Sequence, residues 1–203
     1  MRTNSAIVMY VDVNPADVLR AYPVLDKPAT RGLAERLFPD QPIAEIGDLL
    51  LADAFNPPQD IAYVGCFPGI DLVCSWGVMP DRPSLLAAEL LGVTARRRCY
   101  LHAMHSDAAW CAFGVWHDGT LVRSLSVGRE PGVLENIGEP MTFEAAHDDP
   151  LELGCAALHA LFGIAADGPE NLDDVDPELI PVVGYRIGRE PTVMRTASAG
   201  AAQ

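Results

Sequence analysis

A β-hairpin is the feature that most constrains the fold of this chain. Residues 108–127 read AAWCAFGVWHDGTLVRSLSV, so that two apolar runs flank the dipeptide Asp118-Gly119. This dipeptide favours a two-residue hairpin loop, because both loop positions need a positive φ angle. The resulting register predicts three facing pairs on one face of the sheet: Trp116 with Leu121, Ala112 with Leu125, and Trp110 with Val127. We expect that face to lie against the core.

The hairpin is also apolar on its opposite face, which carries Phe113 and Val115. A sheet with one solvated face alternates between apolar and polar residues, so both faces of this hairpin must be covered. Helices of the same chain or a second protein chain could provide the cover. Arg123 falls opposite Gly114 on the tryptophan face in this register. We expect its guanidinium to lie over an indole or to reach a buried carboxylate, with a bound anion as the functional alternative.

The rest of the chain alternates short apolar runs with helical patterns. The predicted strands are Ser5–Val11, Ile61–Cys66, Ile70–Trp76, Arg98–His105 and Ile180–Tyr185. The first predicted helix begins at Pro15. Three more are predicted over Pro28–Phe38, Pro83–Leu91 and Pro150–Phe162, and Asp149 is the N-cap of the last. We therefore predict a single α+β domain over residues 1–190 with helices packed on a mainly antiparallel sheet, a mixed sheet being the alternative. The polar segment 191–203 is predicted to be a flexible tail.

Charge and hydropathy exclude several classes of protein. The 203 residues include 28 acidic and 14 basic side chains, and the net charge of −14 repels the phosphates of nucleic acids. No apolar run reaches the roughly 20 residues that a membrane span needs, and the first residues do not form a secretory signal. We expect an acidic, cytoplasmic protein without a membrane span and without a nucleic-acid partner.

The cysteines and histidines indicate neither a disulfide framework nor a metal site. The five cysteines are widely scattered and contain no CxxC pair: Cys66, Cys74, Cys99, Cys111 and Cys155. His102 and His105 are three residues apart, which places them on opposite faces of the predicted strand, and the other histidines are dispersed. A set of metal ligands would therefore require convergence in the fold. We predict reduced thiols, no metal and no cofactor.

No catalytic motif is complete in this sequence. The string Asp118-Gly119-Thr120 resembles the DxDGT signature of aspartate-nucleophile phosphatases, but Trp116 stands where the nucleophile should be. Ser75 lies in VCSWG, where valine replaces the first glycine of a GxSxG nucleophile elbow. An enzyme would therefore need groups from several strand ends and loops to meet in space. The candidates for such a site are Asp12, Asp53, Asp71, Ser75 and His105.

Six short strings stand out along the chain: the apolar first strand, GDLL at 47–50, FNPP at 55–58, Trp110 with Asp118-Gly119, LVRSLS at 121–126 and NIGEP at 136–140. In these strings the chain resembles a family of actinobacterial proteins of unknown function. Together they cover most of residues 5–163. The resemblance implies a bacterial cytosolic origin and assigns no function to any residue.

These observations favour a non-catalytic binding or accessory protein that acts through contact with a protein partner or a second copy of itself. The candidate binding residues are Phe113, Trp116 and Arg123. The alternative is a small hydrolase built from the strand-end candidates. A pocket that gathers those groups would favour the hydrolase, whereas a flat apolar patch would favour protein contact.

Overall fold

The computed structural model describes residues 4–78, 80–86, 88–92 and 97–188. The predicted tail at 191–203 and Met79 of a predicted turn lie outside these residues. The strands are β1 (Asn4–Val11), β2 (Ile43–Leu50), β3 (Ile61–Phe67), β4 (Ile70–Cys74), β5 (Arg98–His105), β6 (Trp110–His117), β7 (Thr120–Gly128), β8 (Gly132–Ile137) and β9 (Pro181–Ile187). The α-helices are α1 (Pro15–Leu19), α2 (Lys27–Leu37), α3 (Leu51–Ala54), α4 (Ala88–Gly92) and α5 (Pro150–Phe162).

These nine strands form one sheet in the order β2-β9-β3-β4-β1-β5-β6-β7-β8. Every pair of neighbouring strands is antiparallel. The structure is thus mostly β with helices, in broad agreement with the predicted α+β class. The C-terminal strand β9 lies between β2 and β3, and the N-terminal strand β1 lies near the centre of the sheet.

Helix α5 begins and ends as its sequence predicts. The Asp149 carboxylate accepts hydrogen bonds from the backbone N–H groups of Leu151 at 2.9 Å and Glu152 at 3.4 Å. Gly163 follows the helix with a φ of 76°, a left-handed conformation that glycine adopts without strain. The predicted helix Pro83–Leu91 is wrong in part. Its first turn is a 3₁₀ turn over Pro83–Leu85, and α4 is a separate short helix.

Helices cover the sheet on both sides. The front face carries Ile7, Met9 and Phe113 and packs against α1, α3 and α5. The back face carries Val8 and Trp116 and packs against α2 and α4. None of the described helices has the length and apolarity needed to cross a bilayer.

The hairpin loop forms at the predicted place, but part of the predicted register is wrong. Asp118 and Gly119 have φ angles of 52° and 76°, and Trp116 faces Leu121. A bulge then shifts every later pair by one residue. Ala112 faces Ser126 instead of Leu125, and Trp110 faces Gly128 instead of Val127.

The bulge also moves Arg123 to the front face, where it pairs with Val115 instead of Gly114. Regular alternation of side chains along β7 would place Arg123 on the tryptophan face. The extra residue of the bulge moves the Arg123 side chain to the opposite face. Only on the front face can Arg123 reach the carboxylate of Glu144, which its Nε contacts at 2.8 Å.

Candidate functional site

A cavity of about 530 Å³ opens on the front face, beside the first residues of β1. It exists because β4 is shorter than β1: the last residue of β4, Cys74, pairs with Ile7. Beyond that point the backbone N–H of Ala6 donates to the Phe55 carbonyl at 3.0 Å. The start of β1 therefore has a strand on one side only, and α3, α5 and the segment after α5 enclose the space on the other side.

Three parts of the chain form the cavity wall besides β1. The residues from α3 and its exit are Ala52, Asp53, Phe55 and Asn56, and Leu158 comes from α5. The segment after α5 contributes Ile164, Ala165, Ala166, Asp167, Gly168, Pro169, Asp176, Pro177 and Glu178. The described lining thus combines aliphatic side chains and the ring of Phe55 with carboxylates.

Internal hydrogen bonds hold the segment after α5 in place. Asp174 accepts from the backbone N–H groups of Glu170 and Asn171, both at 2.9 Å, and contacts His159 Nε2 at 3.0 Å. These donors, the backbone N–H of Asn171 foremost, hold the pKa of Asp174 below its ordinary value. The backbone N–H of Val175 donates to the Gly163 carbonyl at 2.8 Å. The wall of the cavity is thus a fixed structure.

Among the described residues, every ionisable side chain that lines the cavity is a carboxylate. The four are Asp53, Asp167, Asp176 and Glu178, and no described lysine, arginine or histidine lines the cavity with them. Asp53, Asp167 and Glu178 are exposed at the rim, whereas Asp176 is half-buried. Within the described part of the chain, no group of three or more histidine, cysteine, aspartate or glutamate side chains is arranged to hold a metal ion. The cavity therefore presents negative charge without a metal-ligand geometry.

A buried serine and a buried histidine are hydrogen-bonded beside the cavity. Ser5 lines the cavity and is 1% exposed, and its Oγ lies 3.0 Å from Nδ1 of His102, which is fully buried and does not line the cavity. Nε2 of His102 lies 2.8 Å from the backbone carbonyl of Gly154 in α5. Because a carbonyl only accepts, Nε2 carries the proton, Nδ1 is unprotonated, and the Ser5 hydroxyl donates to it.

Burial keeps His102 neutral. The imidazole lies under α5, in edge contact with the ring of Phe162, and desolvation lowers its pKa from 6.5 to about 4. The hydrogen bond to the Gly154 carbonyl acts in the opposite direction and is the smaller effect. The lone pair on Nδ1 is therefore available throughout the neutral pH range.

The five strand-end candidates do not meet. Asp12 and Asp71 lie where β1 ends, and Arg97 bridges them, with its Nε 3.0 Å from Asp12 and its Nη1 2.5 Å from Asp71. Asp53 lies on α3 at the cavity rim. The length of β1 places its two ends about 20 Å apart.

Ser75 and His105 lie at the opposite end of β1 from Asp12 and Asp71. The Ser75 hydroxyl accepts from the backbone N–H of Gly77 at 3.2 Å, and the ring of His105 packs 6.4 Å from that of Trp76. Each group has a local partner, and neither lines the cavity.

The three candidate binding residues are buried within the chain. Phe113 is fully buried, with the ring of Phe143 at 5.3 Å, and Trp116 is 2% exposed. Arg123 forms an ion pair with Glu144, donates to Asn136 Oδ1 at 2.6 Å and lies 5.9 Å from the centre of the Phe113 ring. Its guanidinium thus reaches a buried carboxylate, and the ring beneath it is a phenylalanine, not an indole.

Sequence reasoning missed Ser5 and His102 as site residues. Each is a polar residue next to apolar positions of a strand, and this weak signal is shared by other polar residues of the same strands, such as Asn4 and His105. Ser5 and His102 are 97 residues apart in sequence. Only the pairing of β1 with β5 brings them together, and no local pattern encodes that pairing.

The chain belongs to the family of unknown function DUF6928, whose sequence profile matches residues 5–185. The matched region includes both Ser5 and His102, as well as all four carboxylates of the cavity. Searches of curated proteins and of solved structures gave no match. The expected kinship with a family of unknown function is thereby confirmed, and it assigns no activity.

Proposed function

We propose that this protein binds a small organic cation in the cavity beside β1. The observation that carries the proposal is that all four ionisable side chains among the described lining residues are carboxylates. An amine or guanidinium entering the rim would meet negative charge on several sides, and no described lysine, arginine or histidine of the lining would compete with it. The net charge of −14 adds a long-range attraction for cations.

The shape of the cavity favours a ligand with an apolar part as well as a charge. Its volume of about 530 Å³ falls within the range typical of small-molecule sites, about 300–1,000 Å³. Phe55, Leu158 and Ile164 supply apolar surface, whereas the carboxylates lie nearer the rim. An amine attached to an aromatic or aliphatic group satisfies both parts of the lining.

This proposal keeps the expected role as a binding protein and moves it from a protein interface to a cavity. The expectation of protein contact depended on an apolar hairpin face that lacks cover. Phe113 lies under helix α5 and a 3₁₀ turn, and Trp116 lies beneath residues of the same chain on the back face. The apolar residues that motivated the expectation of protein contact are therefore covered within the chain, although Val122 of β7 is exposed, and we favour the cavity as the binding site.

Calorimetric titration with phenethylamine, against 2-phenylethanol as its uncharged counterpart, tests the proposal. We expect only the amine to bind, and we expect binding to weaken as salt is added. Asp53→Asn should weaken binding about two- to fivefold, the effect of one partly exposed ion pair. The matched control is Asp40→Asn, which removes the same charge from an exposed position outside the cavity. Equal affinity for both compounds, or an equal loss in both variants, would contradict the proposal.

We also propose a reducing, cytoplasmic location in a bacterial cell. All five cysteines are unpaired, and four of them are buried. Burial raises the pKa of Cys66, Cys99 and Cys111 to about 12, which leaves these thiols protonated and unreactive. Thiols of this kind are ordinary in cytoplasmic proteins and uncommon in secreted ones. Localisation of a tagged chain by cell fractionation tests this location.

A further inference from the structure

We infer that Ser5 is a nucleophile activated by His102, and that the protein transfers or hydrolyses the acyl group of a small cationic carboxylic ester. The cationic charge of the substrate rests on the function proposed above. The identity of the nucleophile rests separately on the hydrogen bonds around Ser5.

The geometry around Ser5 is that of an activated serine. Nδ1 of His102 lies 3.0 Å from the hydroxyl oxygen, within the reach expected of a general base. The Gly154 carbonyl, 2.8 Å from Nε2, fixes both the tautomer and the orientation of the ring. This carbonyl occupies the place that an aspartate holds in a catalytic triad, and it lacks the full charge that stabilises an imidazolium. We therefore expect slow turnover.

The position of Ser5 supports a role beyond packing. Its side chain lies on the front face at the part of β1 that extends past β4, and the residue lines the cavity. Asn4 and Asn56 line the same cavity. Their Oδ1 atoms accept from the backbone N–H of Ser106 at 3.0 Å and from Trp76 Nε1 at 3.3 Å.

Within the described residues, the Nδ2 groups of Asn4 and Asn56 have no hydrogen-bond partner. These two are the side-chain amides of the described lining, and the described contacts of the Ser5 hydroxyl include neither of them.

The proposed reaction has two balanced steps. The Ser5 oxygen attacks the ester carbonyl carbon while its proton passes to Nδ1 of His102, and the proton then moves to the departing alkoxide as the alcohol leaves. Water attacks the resulting acyl-Ser5 ester and gives its proton to Nδ1. The Ser5 oxygen takes that proton back as the carboxylic acid leaves. No oxidant, reductant or metal ion is needed.

Covalent labelling of the unmodified protein provides the first test. Diisopropyl fluorophosphate forms a phosphorus–oxygen bond with an activated serine and releases fluoride, and mass spectrometry of peptides locates the adduct. We expect the adduct on Ser5, at least a tenfold loss of labelling in Ser5→Ala, and normal labelling in Ser75→Ala. Ser75 is the matched control because it is a buried serine whose hydroxyl, among the described residues, bonds to the backbone N–H of Gly77 and to no histidine. An unlabelled Ser5 in a folded protein, or equal labelling of Ser5→Ala, would overturn the inference.

Turnover of acetylthiocholine, followed by release of its thiol, tests the substrate class. We expect His102→Gln to lower the rate at least tenfold, with circular dichroism showing that the variant is folded. If Ser5 is labelled but acetylthiocholine is hydrolysed no faster than a neutral thioester, the cationic substrate class is wrong. If phenethylamine binds but Ser5 is never labelled, the nucleophile inference fails and the proposed binding function stands.

Discussion

Acidification should destabilise this protein through a single buried imidazole. His102 has its pKa lowered from 6.5 to about 4 by burial, so the unfolded chain binds its proton at a higher pH than the folded chain does. The stability that comes from keeping this group neutral is fully present above pH 6.5. It is lost progressively as the pH falls from 6.5 towards 4.

The expected magnitude follows from the same two values. At about pH 5 the unfolded state gains about 2 kcal/mol from protonation of His102, whereas the folded state gains almost nothing. Urea denaturation at about pH 7.5 and about pH 5 measures the difference. His102→Gln removes the titrating group, and it keeps an N–H donor for the Gly154 carbonyl. This variant should lose about 2 kcal/mol less than the parent between the two pH values.

The comparison between parent and variant cancels the contributions of the carboxylates, which titrate in both proteins. A parent and a variant with the same pH dependence would refute the reasoning. That result would mean that water reaches the imidazole in the folded protein and that His102 does not need to stay neutral.

Three further substitutions test packing and a buried charge. Gly114→Ala should destabilise the fold by about 1–3 kcal/mol in thermal melts, because a Cβ there would overlap the ring of Trp116. Gly32→Ala in helix α2 would place its Cβ at an ordinary van der Waals distance of 3.5 Å from Nη1 of Arg36, so it should stabilise the fold by about 0.5–1 kcal/mol in the same melts. Arg123→Met should cost about 3 kcal/mol in urea denaturation because it leaves the carboxylate of Glu144 buried without its cation, and a loss below about 1 kcal/mol would show that water replaces the guanidinium.

Local signals predicted the local structure well. The Asp118-Gly119 loop and the capped ends of α5 depend on residues close together in sequence, and both formed as expected. The register beyond the loop was wrong because a bulge changes which face each later residue occupies. Hydrophobic alternation cannot indicate a bulge when both faces of the strand are apolar.

The candidate site could not be predicted for a different reason. Its lining comes from the start of β1, from α3, from one turn of α5 and from residues 164–178, which meet only when distant strands have paired. The strand-end hypothesis selected polar residues next to apolar runs. In an antiparallel sheet the strands run in opposite directions, so residues that follow different strands come to lie at opposite ends of the sheet. Of the five candidates, only Asp53 reaches the cavity, and it does so from a helix.

The placement of β9 has a consequence for how the chain is made. Because β9 lies between β2 and β3, these two strands stay unpaired on the sides that face β9 until synthesis has reached Ile187. Late closure of such distant contacts slows folding and leaves strand edges exposed to other chains. Deletion of Pro181–Ile187 would take an interior strand from the sheet, so we expect it to separate β2 from β3 and to destabilise the fold.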